Sequence, residues 1–200
     1  MERKDNGLMM TLNSVKLERK NFDVSDERII KIEDVYACHF GKANMNGEIV
    51  TRDSFDKFFK QMKNTDGIMP SMNWMHSWDA IVGTWTDLVP NSVGLKVNGY
   101  IAKETWAAKN YIIPLIEANV PLYLSTEGFV PWESIEWNDA EGTYIAKDFN
   151  LIRISIVDIP ADFEQKNVVK NAIELHRNRM KEKEDEEKTE SKANNNILII

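Results

Sequence analysis

The chain has 200 residues, 42% of them apolar, with 25 Lys and Arg against 32 Asp and Glu, a formal net charge of −7 and a single cysteine. That length buries one sizeable core and rarely more than two, one cysteine excludes a disulfide framework or a thiolate-rich metal cage, and the acidic balance lacks the basic field of a general nucleic-acid binder. No apolar run approaches the roughly 18–20 residues that span a bilayer, and the charged start Met1-Glu2-Arg3-Lys4-Asp5 is not a secretory signal, so the expectation is a soluble intracellular domain with a polar tail.

Residues 1–29 are polar and weakly patterned and read as an N-terminal extension. Ile30 to Phe40 reads as a strand, with apolar alternation at Ile30 and Ile32 and again at Tyr36, Cys38 and Phe40. A turn follows at Asn44-Met45-Asn46-Gly47. Phe55, Phe58, Phe59 and Met62 then share one helical face, with Thr51 or Asp53 near the N-cap. Ile68 to Trp74 reads as extended. Ile81–Leu88 and Gly94–Ile101 read as a strand pair turning at Pro90-Asn91-Ser92. Thr105 is placed to cap a second helix through Ala108, Ile112, Leu115 and Ile116, with Pro114 kinking it or delaying its start.

Leu122–Val130, Gly142–Ala146 and Leu151–Val157 complete the strands, and Pro160 ends the last. A narrow apolar face at Val168, Val169, Ala172 and Ile173 leads into a stretch from Arg177 to Lys192 in which 12 of 16 residues are charged. No core forms from that composition, so residues 166–200 read as a charged helical or disordered tail. The predicted fold class is α+β: a small, mostly antiparallel β-barrel of about six or seven strands, or a strongly bent sheet, flanked by helices over residues 30–165.

Histidine is scarce: His39, His76 and His176. His39 neighbours Cys38 in a strand, so the two side chains point to opposite faces and do not chelate one ion. No two His fall at helical i, i+3 or i+4 spacing, which argues against a His-built metal site; no metal and no cofactor is expected. His176 sits in the charged stretch and reads as surface. His76, between Trp74 and Trp78, has two readings: a ring stacked at the edge of the core, or a general base near neutral pH. Cys38 lies in a strand without the positive surroundings that activate a thiol. Ser125, in Leu124-Ser125-Thr126-Glu127-Gly128-Phe129, is a candidate nucleophile near a glycine, where backbone N–H groups can approach an oxyanion. Ser155 is a second candidate, although it sits mid-strand in an apolar run. There is no Gly-x-Ser-x-Gly elbow, phosphate loop or dinucleotide fingerprint, and the pattern alone leaves the function open.

Four ordered segments carry a resemblance. They are Tyr36–Phe40 with Asn46–Val50 and Asp53-Ser54-Phe55; Met75-His76-Ser77-Trp78-Asp79 with Ile81-Val82-Gly83-Thr84-Trp85; Ala107-Ala108-Lys109 through Leu115–Val120 into Leu124–Phe129; and Leu151–Asp162 with its Ile154-Ser155-Ile156-Val157 core. Together they resemble the prohead (procapsid maturation) serine protease family of tailed bacteriophages, similar in fold to the herpesvirus assembly proteases, which are seven-stranded barrels ringed by helices. The resemblance covers roughly residues 30–165. It implies Ser125 as nucleophile and His76 as general base. The chain departs from the family pattern by Glu127 ahead of Gly128, and by Arg153 where many relatives carry Glu. The third group is then Asp148, Asp79 or absent, with Asp148 the preferred acid, and Arg153 pairs with an acid or supports an oxyanion-binding water.

The implied function is a serine endopeptidase of capsid maturation that cleaves scaffold, the delta segment of the capsid protein and itself. The implied place is the host cytoplasm, inside the immature capsid. The implied partners are the major capsid protein and scaffold, with self-association an open option and neither nucleic acid nor membrane involved. Two other classes stay open: a non-catalytic assembly or scaffolding protein that keeps the fold, and a binding module gripping a ligand with Trp74, Trp78, Trp85, Trp132 and Trp137.

Overall fold

A computed structural model describes residues 7–11, 15–17, 19–44, 47–65, 67–138 and 140–158, together with Lys181. The chain divides into two compact units, Met1–Phe163 and Glu164–Ile200, and the architecture below belongs to the first. The expected charged tail, including His176, lies outside the described residues apart from Lys181, which is helical and exposed.

The described residues form twelve strands. In chain order these are β1 (Gly7–Thr11), β2 (Val15–Leu17), β3 (Phe22–Asp23), β4 (Ile29–His39), β5 (Glu48–Val50), β6 (Ser71–Trp74), β7 (Ile81–Pro90), β8 (Gly94–Ala102), β9 (Leu122–Pro131), β10 (Ile135–Asn138), β11 (Thr143–Ala146) and β12 (Asn150–Val157). Helix α1 (Asp56–Asn64) follows a 3₁₀ turn, and α2 (Ile113–Glu117) follows a π-helical segment, Ala108–Ile112. Nine strands make one sheet in the order β1-β9-β12-β6-β7-β8-β4-β3, with β2 also on β9, and β10-β11-β5 make a second. Every ladder of the large sheet is antiparallel except β12 with β6.

The α+β class holds, but the barrel does not. The large sheet ends at β1 and β2 on one side and at β3 on the other, with no ladder joining them among the described residues. Register shifts at Ile32/Val35, Tyr36/Cys38, Met72/Asn73, Trp85/Asp87 and Leu151/Arg153 bend the strands. Each extra residue adds local twist, which brings β4 against β9 without pairing them. The segment read as an N-terminal extension supplies three strands. Met10 and Leu17 are buried in the core, and β1 and β2 pair successive stretches of β9.

The aromatic face of α1 packs as its spacing predicts. Phe55 is fully buried, and its ring centroid lies 5.3 Å from that of Phe149. The cap differs: the Ser54 hydroxyl accepts from the Thr51 N–H at 2.8 Å, and no side chain caps α1 itself. In the second helix the Thr105 hydroxyl donates back to the Ala102 carbonyl at 2.9 Å. Pro114 stands at the start of α2 with the π-helical turn just before it. Proline has no N–H to give and its ring crowds the carbonyl four residues back, so the wider turn absorbs the misfit.

The Ile81-Val82-Gly83-Thr84-Trp85 segment has a packing reason for two of its residues. The Trp85 indole is buried and donates to the Ile154 carbonyl at 3.3 Å, tying β7 to β12. A Cβ on Gly83 would stand 2.0 Å from the Tyr100 carbonyl oxygen of β8 and 2.9 Å from the Met72 sulfur. Gly83→Ala is therefore expected to destabilise the fold by about 2–3 kcal/mol, read as a lower denaturant midpoint at unchanged slope; an unchanged midpoint would mean that the β7–β8 ladder yields freely.

Candidate active site

Three adjacent strands build the site's floor. Ser155 of β12 is in register with Ser125 of β9 on one side and with Asn73 of β6 on the other. Two residues along, Arg153 pairs with Glu127 and with Ser71. Side chains alternate along a strand with a period of two, so Ser125, Glu127, Arg153, Ser155 and Asn73 share one face. That face is polar, while Leu124, Val130, Ile154 and Ile156 of the same strands are buried in the core.

His76 reaches this row from a loop held in an unusual shape. Met75 and His76 have φ of 55° and 57°, a left-handed conformation that costs non-glycine residues energy and persists only where neighbours enforce it. Here three backbone bonds enforce it: Met75 N–H to Ile156 O at 3.0 Å, Ser77 N–H to Trp74 O at 3.0 Å, and Trp74 N–H to Ala80 O at 2.9 Å. The Arg153 guanidinium also donates to the His76 carbonyl at 2.6 Å.

So held, His76 Nε2 lies 2.9 Å from Ser125 Oγ. On the other side of the ring, Nδ1 lies 3.0 Å from Glu127 Oε2 and 3.2 Å from Ser155 Oγ. Glu127 Oε1 is 3.2 Å from Arg153 Nη2. Arg153 is 1% exposed, and its guanidinium carbon lies 3.6 Å from the centroid of the Trp78 ring, itself 73% exposed. A buried guanidinium without a carboxylate partner is costly; Glu127 supplies the opposite charge, and the indole face adds a cation–π contact. The His76 side chain is 24% exposed, whereas Ser125 is fully buried.

The other expected residues lie elsewhere. Asp148, the preferred third group, is not part of this cluster: its carboxylate is 3.4 Å from Lys57 Nζ and accepts from the Ser134 hydroxyl at 3.1 Å. It precedes β12 at the end remote from Ser155, on the order of 20 Å away along extended chain. Asp79 accepts a short bond from the Ser77 hydroxyl, which holds its carboxyl below the usual range. The acid that does touch the ring is Glu127, and period-two alternation from Ser125 places it on the serine's face. Arg153 takes the acid-pairing role of its two expected ones. His39 is exposed at the end of β4, beside Tyr36. The tryptophans do not form one edge: Trp85 is in the core, Trp74 is buried and stacked with Tyr111, and Trp137 stacks with Tyr144 in the small sheet. Among the described residues, no group of three or more His, Cys, Asp or Glu is placed to hold a metal ion, and no helix is long and apolar enough to cross a membrane.

The family model of the caudovirus prohead serine proteases matches residues 15–182. The chain belongs to that family. Among solved structures, this prohead serine protease family member is similar to the bacteriophage T4 capsid assembly protease, gp21, with a TM-score of 0.56 and 12% identity over 76% of this chain and 98% of that one. At that identity the likeness concerns the fold. No curated protein matches the sequence.

Burial also sets the state of the single cysteine in this prohead serine protease family member. The Cys38 thiol is fully buried, and loss of hydration pushes its pKa up to about 12, which keeps it protonated and unreactive. In the folded protein at pH 8, Cys38 is expected to resist alkylation by iodoacetamide, and to react once the chain is denatured; rapid labelling of the native protein, read by mass spectrometry, would contradict this.

Proposed function

We propose that the chain is a serine endopeptidase that processes capsid components inside the procapsid, with Ser125 as nucleophile and His76 as general base and acid. The observation that carries this reading is the 2.9 Å contact between His76 Nε2 and Ser125 Oγ, backed on the far ring nitrogen by Glu127 at 3.0 Å. A serine hydroxyl is a weak nucleophile until a bonded imidazole takes its proton during attack. Ser125 Oγ forms a bond to the scissile carbonyl carbon while its hydrogen passes to His76 Nε2. The imidazolium so formed faces the Glu127 carboxylate, which offsets the new charge, and Arg153 holds that carboxylate in place. His76 then gives the proton to the departing amine as the C–N bond breaks, leaving an acyl ester on Ser125. Water attacks the ester with His76 again as base, releasing the acid and restoring the hydroxyl.

Glu127 occupies the role left open by Arg153. In the family pattern the closing strand carries Glu at that position; here the same position holds Arg, and the acid stands directly opposite it on the serine strand. Charge and partner have exchanged across one ladder rung, and the ring keeps its carboxylate. The substrates that fit the family are the scaffold or delta segment of the shell protein and the protease itself. The charged residues beyond position 165 then tether the enzyme to shell or scaffold until self-cleavage releases it.

Co-expression with the cognate shell and scaffold proteins, read by intact mass, tests the reading. Ser125→Ala and His76→Ala are each expected to lower processing by on the order of 10³-fold or more while folding normally. Asp148→Asn is expected to stay within about threefold of wild type, as for a group that touches no reacting atom. Equal processing and identical tail trimming by wild type and Ser125→Ala would overturn the assignment in favour of a non-catalytic assembly protein.

A further inference from the structure

The hydrogen-bond chain behind His76 begins at a backbone carbonyl. The Asn73 side chain is 2.7 Å from the Ser77 carbonyl oxygen. A carbonyl only accepts, so the atom facing it is the amide Nδ2, and Oδ1 is the atom turned to β12. Ser155 Oγ is 2.7 Å from that Oδ1. An amide oxygen carries no hydrogen, so the single hydrogen of Ser155 points to Asn73. Only lone pairs of Ser155 Oγ then remain for His76 Nδ1, 3.2 Å away. Two lone pairs repel, so Nδ1 must carry the ring hydrogen, and Nε2 must be bare towards Ser125. Both intermediaries are sealed from competing water: Asn73 is 1% exposed and Ser155 fully buried.

We infer that Asn73 and Ser155 are positioning residues that fix the productive tautomer of His76 independently of Glu127. The inference rests on the reading of His76 as the base for Ser125. Nδ1–H has two acceptors, a carboxylate on β9 and a hydroxyl on β12, and they do different work. Glu127 carries charge and answers the imidazolium. Ser155 is neutral, and its direction is dictated through Asn73 by the Ser77 carbonyl of the same loop that carries His76. The loop that presents the base therefore also dictates which of its nitrogens is free. Ser155, which the sequence offers as a second nucleophile, has its hydrogen committed and serves the first one instead.

The test is nitrogen NMR of the full chain labelled with ¹⁵N-histidine, at a pH where the ring is neutral, with the His76 signals assigned by their loss in His76→Gln. Wild type and Glu127→Ala are both expected to show hydrogen on Nδ1 and a bare Nε2. Glu127→Ala combined with Ser155→Ala, or with Asn73→Ala, is expected to shift the ring towards the Nε2–H form. The first pairing removes the remaining acceptor, and the second frees the Ser155 hydrogen to turn towards Nδ1. The two pairings remove different atoms, and because both leave Arg153 without its carboxylate, the same comparisons are repeated with Arg153→Met added, which removes the orphaned charge and keeps the test decisive if Glu127→Ala alone fails to fold. In processing assays, Ser155→Ala is expected to cost at least about tenfold more in the Glu127→Ala background than in wild type, the coupling expected of groups that share one partner. A ring that changes tautomer in Glu127→Ala alone, or keeps Nδ1–H in both pairings, overturns the inference. These spectra need no substrate, so their failure is separate from that of the protease reading, which falls only if Ser125→Ala still processes the shell protein.

Discussion

The contact between His76 Nε2 and Ser125 Oγ depends on a parallel ladder in a sheet that is otherwise antiparallel. β12 lies between β6 and β9, parallel to the first and antiparallel to the second. That arrangement puts the chain leaving β6 at the same end as Ser125 on β9, so a short loop suffices to bring the His76 ring across β12. The Met75 N–H to Ile156 O bond continues the pairing of β6 with β12 past the end of the strand and carries the loop over the row it serves. A shift of one residue in either ladder would turn Ser125 or Ser155 to the core face and dismantle the site without changing any residue in it.

Electrostatics complete what the register begins. A polar face with a buried guanidinium is an expensive thing to place beside a core of Ile and Leu. The cost is offset in part in one cluster, where Arg153 meets Glu127, the His76 carbonyl and the Trp78 ring, while its Nε and Nη2 make no hydrogen bond. The strained backbone at Met75 and His76 is held by the same group, so the guanidinium links the carboxylate to the loop.

Much of this was legible beforehand, and what was not fails for identifiable reasons. Ser125 and His76 stand out through ordered motifs, and the α1 face and most strands through their periodicity. Asp148 stands near β12 in sequence yet meets Lys57 and Ser134, because nearness to a strand says nothing about which end of it meets the ring. Glu127 was visible as an extra residue and shares the serine's face by simple alternation, but its contact with the ring depends on the β9–β12 register, which is a long-range property. Ile135–Asn138 is too short to announce itself beside a Pro-led turn, and Gly7–Thr11 earns its place only by pairing with residues more than a hundred positions away. Counting strands predicted a barrel, while closure depends on edges, and the two-residue β3 leaves one edge open.

The burial of Ser125 has a consequence for timing. A hydroxyl with no surface of its own meets no peptide bond, however well its proton acceptor is aligned. On the proposed reading, cleavage follows only after whatever overlies Ser125 has moved aside.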